Sequence, residues 1–308
     1  MLNRTQNRPL GFAACALASM FWGCGFFFGK IALHEMNVGA MVLFRWTFAC
    51  IALLPILLTH KPSFTKREWG ELAIAWSFGV PLQFLLQFKG LSLTSVSHAS
   101  LMVGTMPVIL AVGATLFLRE RLQLAGWISI AFSTAGAALI VMGKSVAGRG
   151  DAPTLRGDLY VVASLAIALV WVLGNKKLMA KHSALMVTAW GALLGTAILA
   201  VLTPMLYGLP SLHVSGKAWA ASAAAGFLCT AASTALWNWG LTQVPASQAG
   251  VLLNMEPLIG SLLGVLVLGE QLGTAAYLGG AMIVVAAITL TVVSSRSAAA
   301  ETFLVEMQ

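Results

Sequence analysis

Seven long stretches of this chain contain no Asp, Glu, Lys or Arg: Pro9 to Gly29, Leu72 to Phe88, Gly90 to Leu118, Leu122 to Gly143, Leu159 to Asn175, Ser183 to Gly216 and Ala218 to Met255. In a bilayer the backbone must satisfy its own hydrogen bonds, so charge-free runs of about 20 residues read as helices crossing a ~30 Å hydrocarbon core. The longest run breaks naturally at Gln243-Val244-Pro245, because proline cannot donate to a helix ladder. Spans are then expected near 10–33, 38–59, 71–90, 96–118, 123–143, 157–177, 184–205, 218–240, 246–268 and 273–293. Only 9% of the residues are charged and 59% are apolar, where a soluble domain carries about 25% charge; an ordinary soluble enzyme and a disordered chain are both excluded. The net charge of +8 comes from Lys and Arg that punctuate the apolar runs, not from a basic stretch interleaved with aromatics, so no nucleic-acid partner is expected. Ten helices leave no room for a soluble domain. The first run is too long and too aromatic around Trp22 to Phe28 for a cleaved signal. Cys15, Cys24, Cys50 and Cys229 stand singly, without CxxC spacing, and read as packing residues.

Placing the N-terminus in the cytoplasm puts eleven Lys and Arg on that side against seven on the other, or four in true loops. The positive-inside rule therefore predicts a multi-pass protein of a bacterial-type inner membrane with both termini cytoplasmic. The tail after Arg296 shows no clear pattern.

The chain also repeats itself. Gly90-Leu91 matches Gly240-Leu241, Ser97 matches Ser247, Ala99 matches Ala249, Pro107 matches Pro257, Glu120 matches Glu270 and Leu122 matches Leu272, each pair 150 residues apart. Shared Leu and Ala are cheap in this composition; a shared Pro and a shared Glu in register are not. Gly11 and Gly157, Trp22 and Trp171, and Lys30 and Lys176 or Lys177 match more loosely. Two units of five spans follow, 9–143 and 157–293, with 294–308 as a cytoplasmic tail. Five is odd, so the second unit enters the membrane inverted. The expected fold is an all-α integral membrane protein with ten transmembrane helices as two inverted-topology five-helix repeats, an arrangement characteristic of secondary transporters.

Phe21-Trp22-Gly23 with Lys30, Arg45-Trp46, Glu120, and Glu256-Pro257 followed by Glu270 resemble EamA-type transporters of the drug/metabolite transporter superfamily. Within that family the chain looks most like the YddG-type exporters of aromatic and other neutral amino acids. The resemblance spans about residues 9–293. It implies ten helices in two repeats and a central cavity lined mainly by the third, fourth, eighth and ninth helices, with contributions from the first and sixth.

Few residues inside the spans carry chemistry. Glu256 is the one carboxylate near mid-span, about eleven residues into its helix, where a charge costs roughly 2.5–3.5 kcal/mol unless it faces protein or water. It either binds a substrate ammonium or a proton, or locks helices together as a paired carboxyl. Pro107 and Pro257 are hinge candidates for rocking the two units, with static kinks as the alternative. Arg45, Lys30 and Lys89 form either a positive funnel for carboxylates or snorkelling side chains, with Glu35 as a partner. Trp22, Phe26, Phe84, Met102, Trp171 and Trp237, with Gln83, Gln87, Asn238 and Asn254, are candidate cavity residues. Such a lining suits a flat apolar ligand with polar ends. His98 reads as a lone interfacial histidine, His34-Glu35 lacks the second histidine of a zinc motif, and the Gly25/Gly29, Gly191/Gly195 and Gly260/Gly264 pairs read as close helix packing.

No phosphate-binding loop is present, which argues against direct ATP drive, and no cofactor or metal is expected. The leading reading is a secondary transporter that exports small metabolites, aromatic and other neutral amino acids first, by alternating access around a midplane cavity. A multidrug exporter of lipophilic cations, held by Glu256 and aromatic faces, is the alternative; proton-coupled and gradient-driven transport are both open. A lone central carboxylate disfavours an intramembrane enzyme, and short loops disfavour an obligate protein partner. The small-molecule cargo and the lipid bilayer are the expected partners.

Overall fold

The computed structural model describes residues 8–59, 61–118, 124–142, 152–241, 243–244 and 250–306. The regular elements among them are helices: α1 (Arg8–Leu33), α2 (Val38–Thr59), α3 (Lys66–Leu91), α4 (Val96–Val103), α5 (Met106–Leu118), α6 (Leu124–Met142), α7 (Leu155–Met179), α8 (Ala184–Tyr207), α9 (Gly216–Gly240), α10 (Met255–Leu266) and α11 (Thr274–Glu306). A 3-10 turn, Gly250–Asn254, leads into α10.

The span count is corrected here. The charge-free runs predict ten crossings, but among the described residues six helices are long and apolar enough to cross a membrane: α1, α2, α3, α7, α8 and α9. The remaining apolar stretches, Val96–Leu110, Leu124–Ile140, Leu252–Leu266 and Thr274–Thr289, are only 10–17 residues long.

The backbone is interrupted within two of the four stretches. The run over 96–118 divides after Val103, where the N–H groups of Gly104 and Thr105 donate to the carbonyls of Leu101 (3.1 Å) and Met102 (3.0 Å), three residues back. Pro107 then falls in the first turn of α5, and Pro257 in the first turn of α10, where a missing N–H leaves nothing unpaired. A Cβ on Gly104 would lie 3.4 Å from the Cβ of Pro257, so the two breaks meet in the interior. Apolarity alone does not reveal such a break. At the other end of the chain, α11 continues through Glu306, and its Ser297 to Ala300 stretch is rich in the best helix former, alanine.

The exterior is apolar, as a lipid-facing surface must be. Leu58, Met142, Met205 and Leu266 are 74%, 83%, 75% and 71% exposed. The interior packs large side chains instead, with Trp76, Phe88, Met41 and Leu72 almost fully buried.

The same local features recur in both halves. α3 carries a π-helical turn at Phe78–Leu82 and α9 carries one at Phe227–Ala232, both in the third helix of their half. The two halves also hold each other by equivalent contacts. Gly157 of α7 lies against Leu93 and Thr94, whereas Gly11 of α1 lies against Gln243 and Val244. Gly90 meets Val161 and the Gly157 carbonyl; Gly240 meets Cys15 and the Gly11 carbonyl. The turn after α1 supplies Glu35, whose carboxylate accepts from the N–H (2.7 Å) and hydroxyl (2.6 Å) of Ser215, the N-cap of α9. Those bonds, with Lys217 nearby, hold the Glu35 carboxyl below the ordinary carboxylate range. The turn after α7 supplies Lys181 and His182, each 3.3 Å from Glu68, which completes the capping box of Thr65 at the start of α3. Glu35 therefore pairs with Ser215 and not with Lys30.

Candidate functional site

The interior site is built around Arg45. Its place in α2 turns the side chain toward α9, where the guanidinium Nε donates to Thr230 Oγ1 (2.9 Å) and a terminal nitrogen donates to the Cys229 carbonyl (3.3 Å). Both acceptors lie in the π-helical turn of α9. Such turns re-aim backbone groups out of the regular ladder and recur at functional sites. Arg45 is 6% exposed, so it does not snorkel.

Aromatic rings complete the surroundings of the guanidinium. Its carbon lies 5.0 Å from the ring centre of Phe84 and 5.3 Å from that of Phe88, both on α3. Phe88 stacks on Phe84 and on Phe26 of α1, each at 6.1 Å. Trp46 meets Phe84 edge-on at 5.1 Å. A desolvated cation on aromatic faces is stabilised by about 2 kcal/mol. Glu256, in the first turn of α10, is the carboxylate within electrostatic range of Arg45. α1 approaches both: Gly25 packs beside the guanidinium, and Gly23 beside the Glu256 carbonyl.

Trp22 and Trp237 form a separate pair, 5.4 Å apart, between α1 and α9. The Nδ2 of Asn238 and the Oε1 of Gln83 are buried without a protein partner, as are the indole nitrogens of Trp46 and Trp171. Gln87 and Asn254 are buried, and Met102 is fully so. Trp171 packs between Trp76, at 5.4 Å, and Gly79 in the π-helical turn of α3. Glu120, Ser247 and Ala249, singled out by the repeat, lie outside the described residues.

Sequence reasoning missed Phe88, Thr230 and the Cys229 carbonyl. Phe88 was within reach, standing four residues after Phe84 on one helix face. The Arg45 acceptors sit about 185 residues away in sequence, with no local signal. Lys30 is likewise buried at 5%, its ammonium donating to the carbonyls of Leu91 (2.8 Å) and Thr94 (2.7 Å) at the end of α3. It serves as a helix cap, not as part of a surface funnel.

Broken helices meeting beside a buried guanidinium and a partly buried carboxyl, in a bundle with an apolar exterior, match the architecture of secondary transporters. The sequence matches the EamA-like transporter family over residues 9–142 and again over 155–292. The chain belongs to that family. An uncharacterized transporter of Archaeoglobus fulgidus is 28% identical to this EamA-like chain over 282 residues, 90% of this chain and 95% of the relative. A probable terminal-alkyne amino-acid exporter of Streptantibioticus cattleyicolor is 26% identical over 87% of this chain and 89% of its own length. A crystal structure at 19% identity aligns with a TM-score of 0.65 over 94% of this chain and 99% of its own, a likeness of fold. This EamA-like chain is a multi-pass, membrane-embedded secondary transporter.

Proposed function

We propose that this transporter exports neutral amino acids, aromatic ones foremost, and that Arg45 and Glu256 receive the two ends of the zwitterion. The carrying observation is a buried guanidinium, walled by Phe84 and Phe88, within electrostatic range of one carboxylate. The guanidinium complements an α-carboxylate by paired hydrogen bonds. Glu256 complements the α-ammonium, and the aromatic faces of Phe26, Phe84, Trp22 and Trp237 offer flat apolar contact to the side chain. Gln83, Gln87, Asn238 and Asn254 supply polar contacts at the edges, with Met102 and Trp171 behind them. The relative that exports an amino acid supports this cargo class.

Transport proceeds by alternating access. The two matched halves, 9–142 and 155–292, insert with opposite orientation and rock about the helix breaks at Pro107 and Pro257. The exchange of equivalent contacts between halves supports that symmetry. The N- and C-termini face the cytoplasm.

The test is a growth assay in bacteria expressing the chain. Resistance to a toxic tryptophan analogue, abolished by Arg45→Ala, is expected. Resistance to a lipophilic cation dye with none to the analogue would overturn the amino-acid reading and favour a multidrug exporter.

A further inference from the structure

The first turn of α4 is held by charged side chains from three other elements. Lys30 of α1 donates to the carbonyls of Leu91 and Thr94 just before it. Glu270, in the turn before α11, accepts from the N–H groups of Val96 (2.7 Å) and Ser97 (2.8 Å) and from the Ser97 hydroxyl (2.5 Å). Asp158 of α7 accepts from the Thr94 hydroxyl at 2.5 Å, and its other oxygen lies 3.1 Å from His98 Nδ1. Asp158 is 2% exposed and His98 7%. His98 belongs to the first half of the chain and Asp158 to the second.

The cap contacts of Lys30 and Glu270 have a plain structural purpose, because they satisfy orphan backbone groups at helix ends. The His98–Asp158 pair does not. Its twin position in the other half shows that the fold can be fastened there without charge. The residue at the place of Thr94 is Val244, and the residue at the place of Asp158 is Phe12. Val244 and Phe12 pack with Cys15 in one apolar cluster. Burying a carboxylate and an imidazole is costlier than burying such a cluster, so the charged version calls for a further role.

We propose that His98 and Asp158 form a proton-binding site that makes the exchange between transport conformations depend on pH. The proposal rests on the transporter reading above. Imidazole is the side chain whose charge changes between about pH 5 and 8. When His98 takes a proton from water at its free ring nitrogen, Nδ1–H still donates to Asp158, and a neutral–charged hydrogen bond becomes an ion pair between the halves. Protonation therefore locks this end of the bundle, and loss of the proton releases it.

The titratable groups on elements packed against α4 include Arg156 and Tyr160 on α7, Lys30 on α1, Lys89 on α3, Glu256 on α10, Glu270 before α11 and Tyr277 on α11, and, among the described residues, no second histidine. Lys30 and Glu270 are held on backbone groups, and Arg156 on Tyr160. His98 is thus the histidine of that set.

Two measurements test the site. Transport of tryptophan into proteoliposomes, followed from about pH 5.5 to 8.5, is expected to rise several-fold with pH in the wild type and to be flat in His98→Gln. The unchanged rise in a folded His98→Gln variant would overturn the proposal. Independently of any cargo, nuclear magnetic resonance of protein labelled at histidine carbons is expected to show one titrating resonance that is missing from His98→Gln. That resonance should move in Asp158→Asn. A resonance insensitive to Asp158→Asn, or one that does not titrate in the wild type, would contradict the site even if the amino-acid cargo proved wrong.

Discussion

Arg45 shows how a single side chain organises the interior. Its guanidinium bonds Thr230 and the Cys229 carbonyl while lying over two phenylalanine rings, a combination that needs a planar group. Arg45→Lys keeps the charge and loses the fork and the stacking. Transport by that variant is expected to fall roughly tenfold or more, in line with about 2 kcal/mol of lost cation–aromatic contact, with the protein still monodisperse on size exclusion. Activity within twofold of wild type would show that the charge alone suffices. At this scale the sequence was only partly legible. Mid-span Glu256, Phe26 and Phe84 stand out from an apolar background, but Arg45 seven residues into a helix looks like a snorkelling side chain. Its true partners are brought in by folding over about 185 residues. The same holds for His98, which looks solitary until Asp158 arrives from 60 residues away.

At the scale of elements, helices were legible where they are long and continuous, and misread where they break. Length and apolar composition mark α1, α2, α3, α7, α8 and α9. The interruption after Val103 depends on local backbone bonding at Gly104 and Thr105, which composition does not encode. The π-helical turns at Phe78–Leu82 and Phe227–Ala232 are equally silent in the sequence, although Pro81 marks the first. The seat of α10 on α4 makes a sharp demand. A Cβ on Gly264 would collide with Ser97 Oγ and with the Glu270 carboxylate, which a left-handed turn at Gly269 (φ 69°) delivers. Gly264→Ala should therefore lower stability by about 1–3 kcal/mol, the usual cost of overpacking, and the drop should appear as an earlier thermal unfolding midpoint in detergent. A midpoint equal to that of the wild type would mean that the Glu270 clasp on α4 is dispensable.

Across the whole molecule, the duplication was the most legible feature, since the 150-residue offset between Pro107 and Pro257 is written in the chain itself. The family model matches residues 9–142 and 155–292. The cross-half contacts extend it to the fold: the glycine seats, the caps at Thr65 and Ser215, and the third-helix π-turns all recur. The charges do not. Glu256 has Met106 at its twin position, and Asp158 has Phe12. The repeated local features therefore carry chemistry that differs between the halves at these two positions. The most direct measurement is counterflow of radiolabelled tryptophan into proteoliposomes preloaded with unlabelled tryptophan, with Glu256→Gln and Arg45→Ala in parallel. Faster entry than into unloaded vesicles, lost in both variants, is the expected result. Entry no faster than into protein-free liposomes, for tryptophan and for every other neutral amino acid, would contradict the amino-acid transport function.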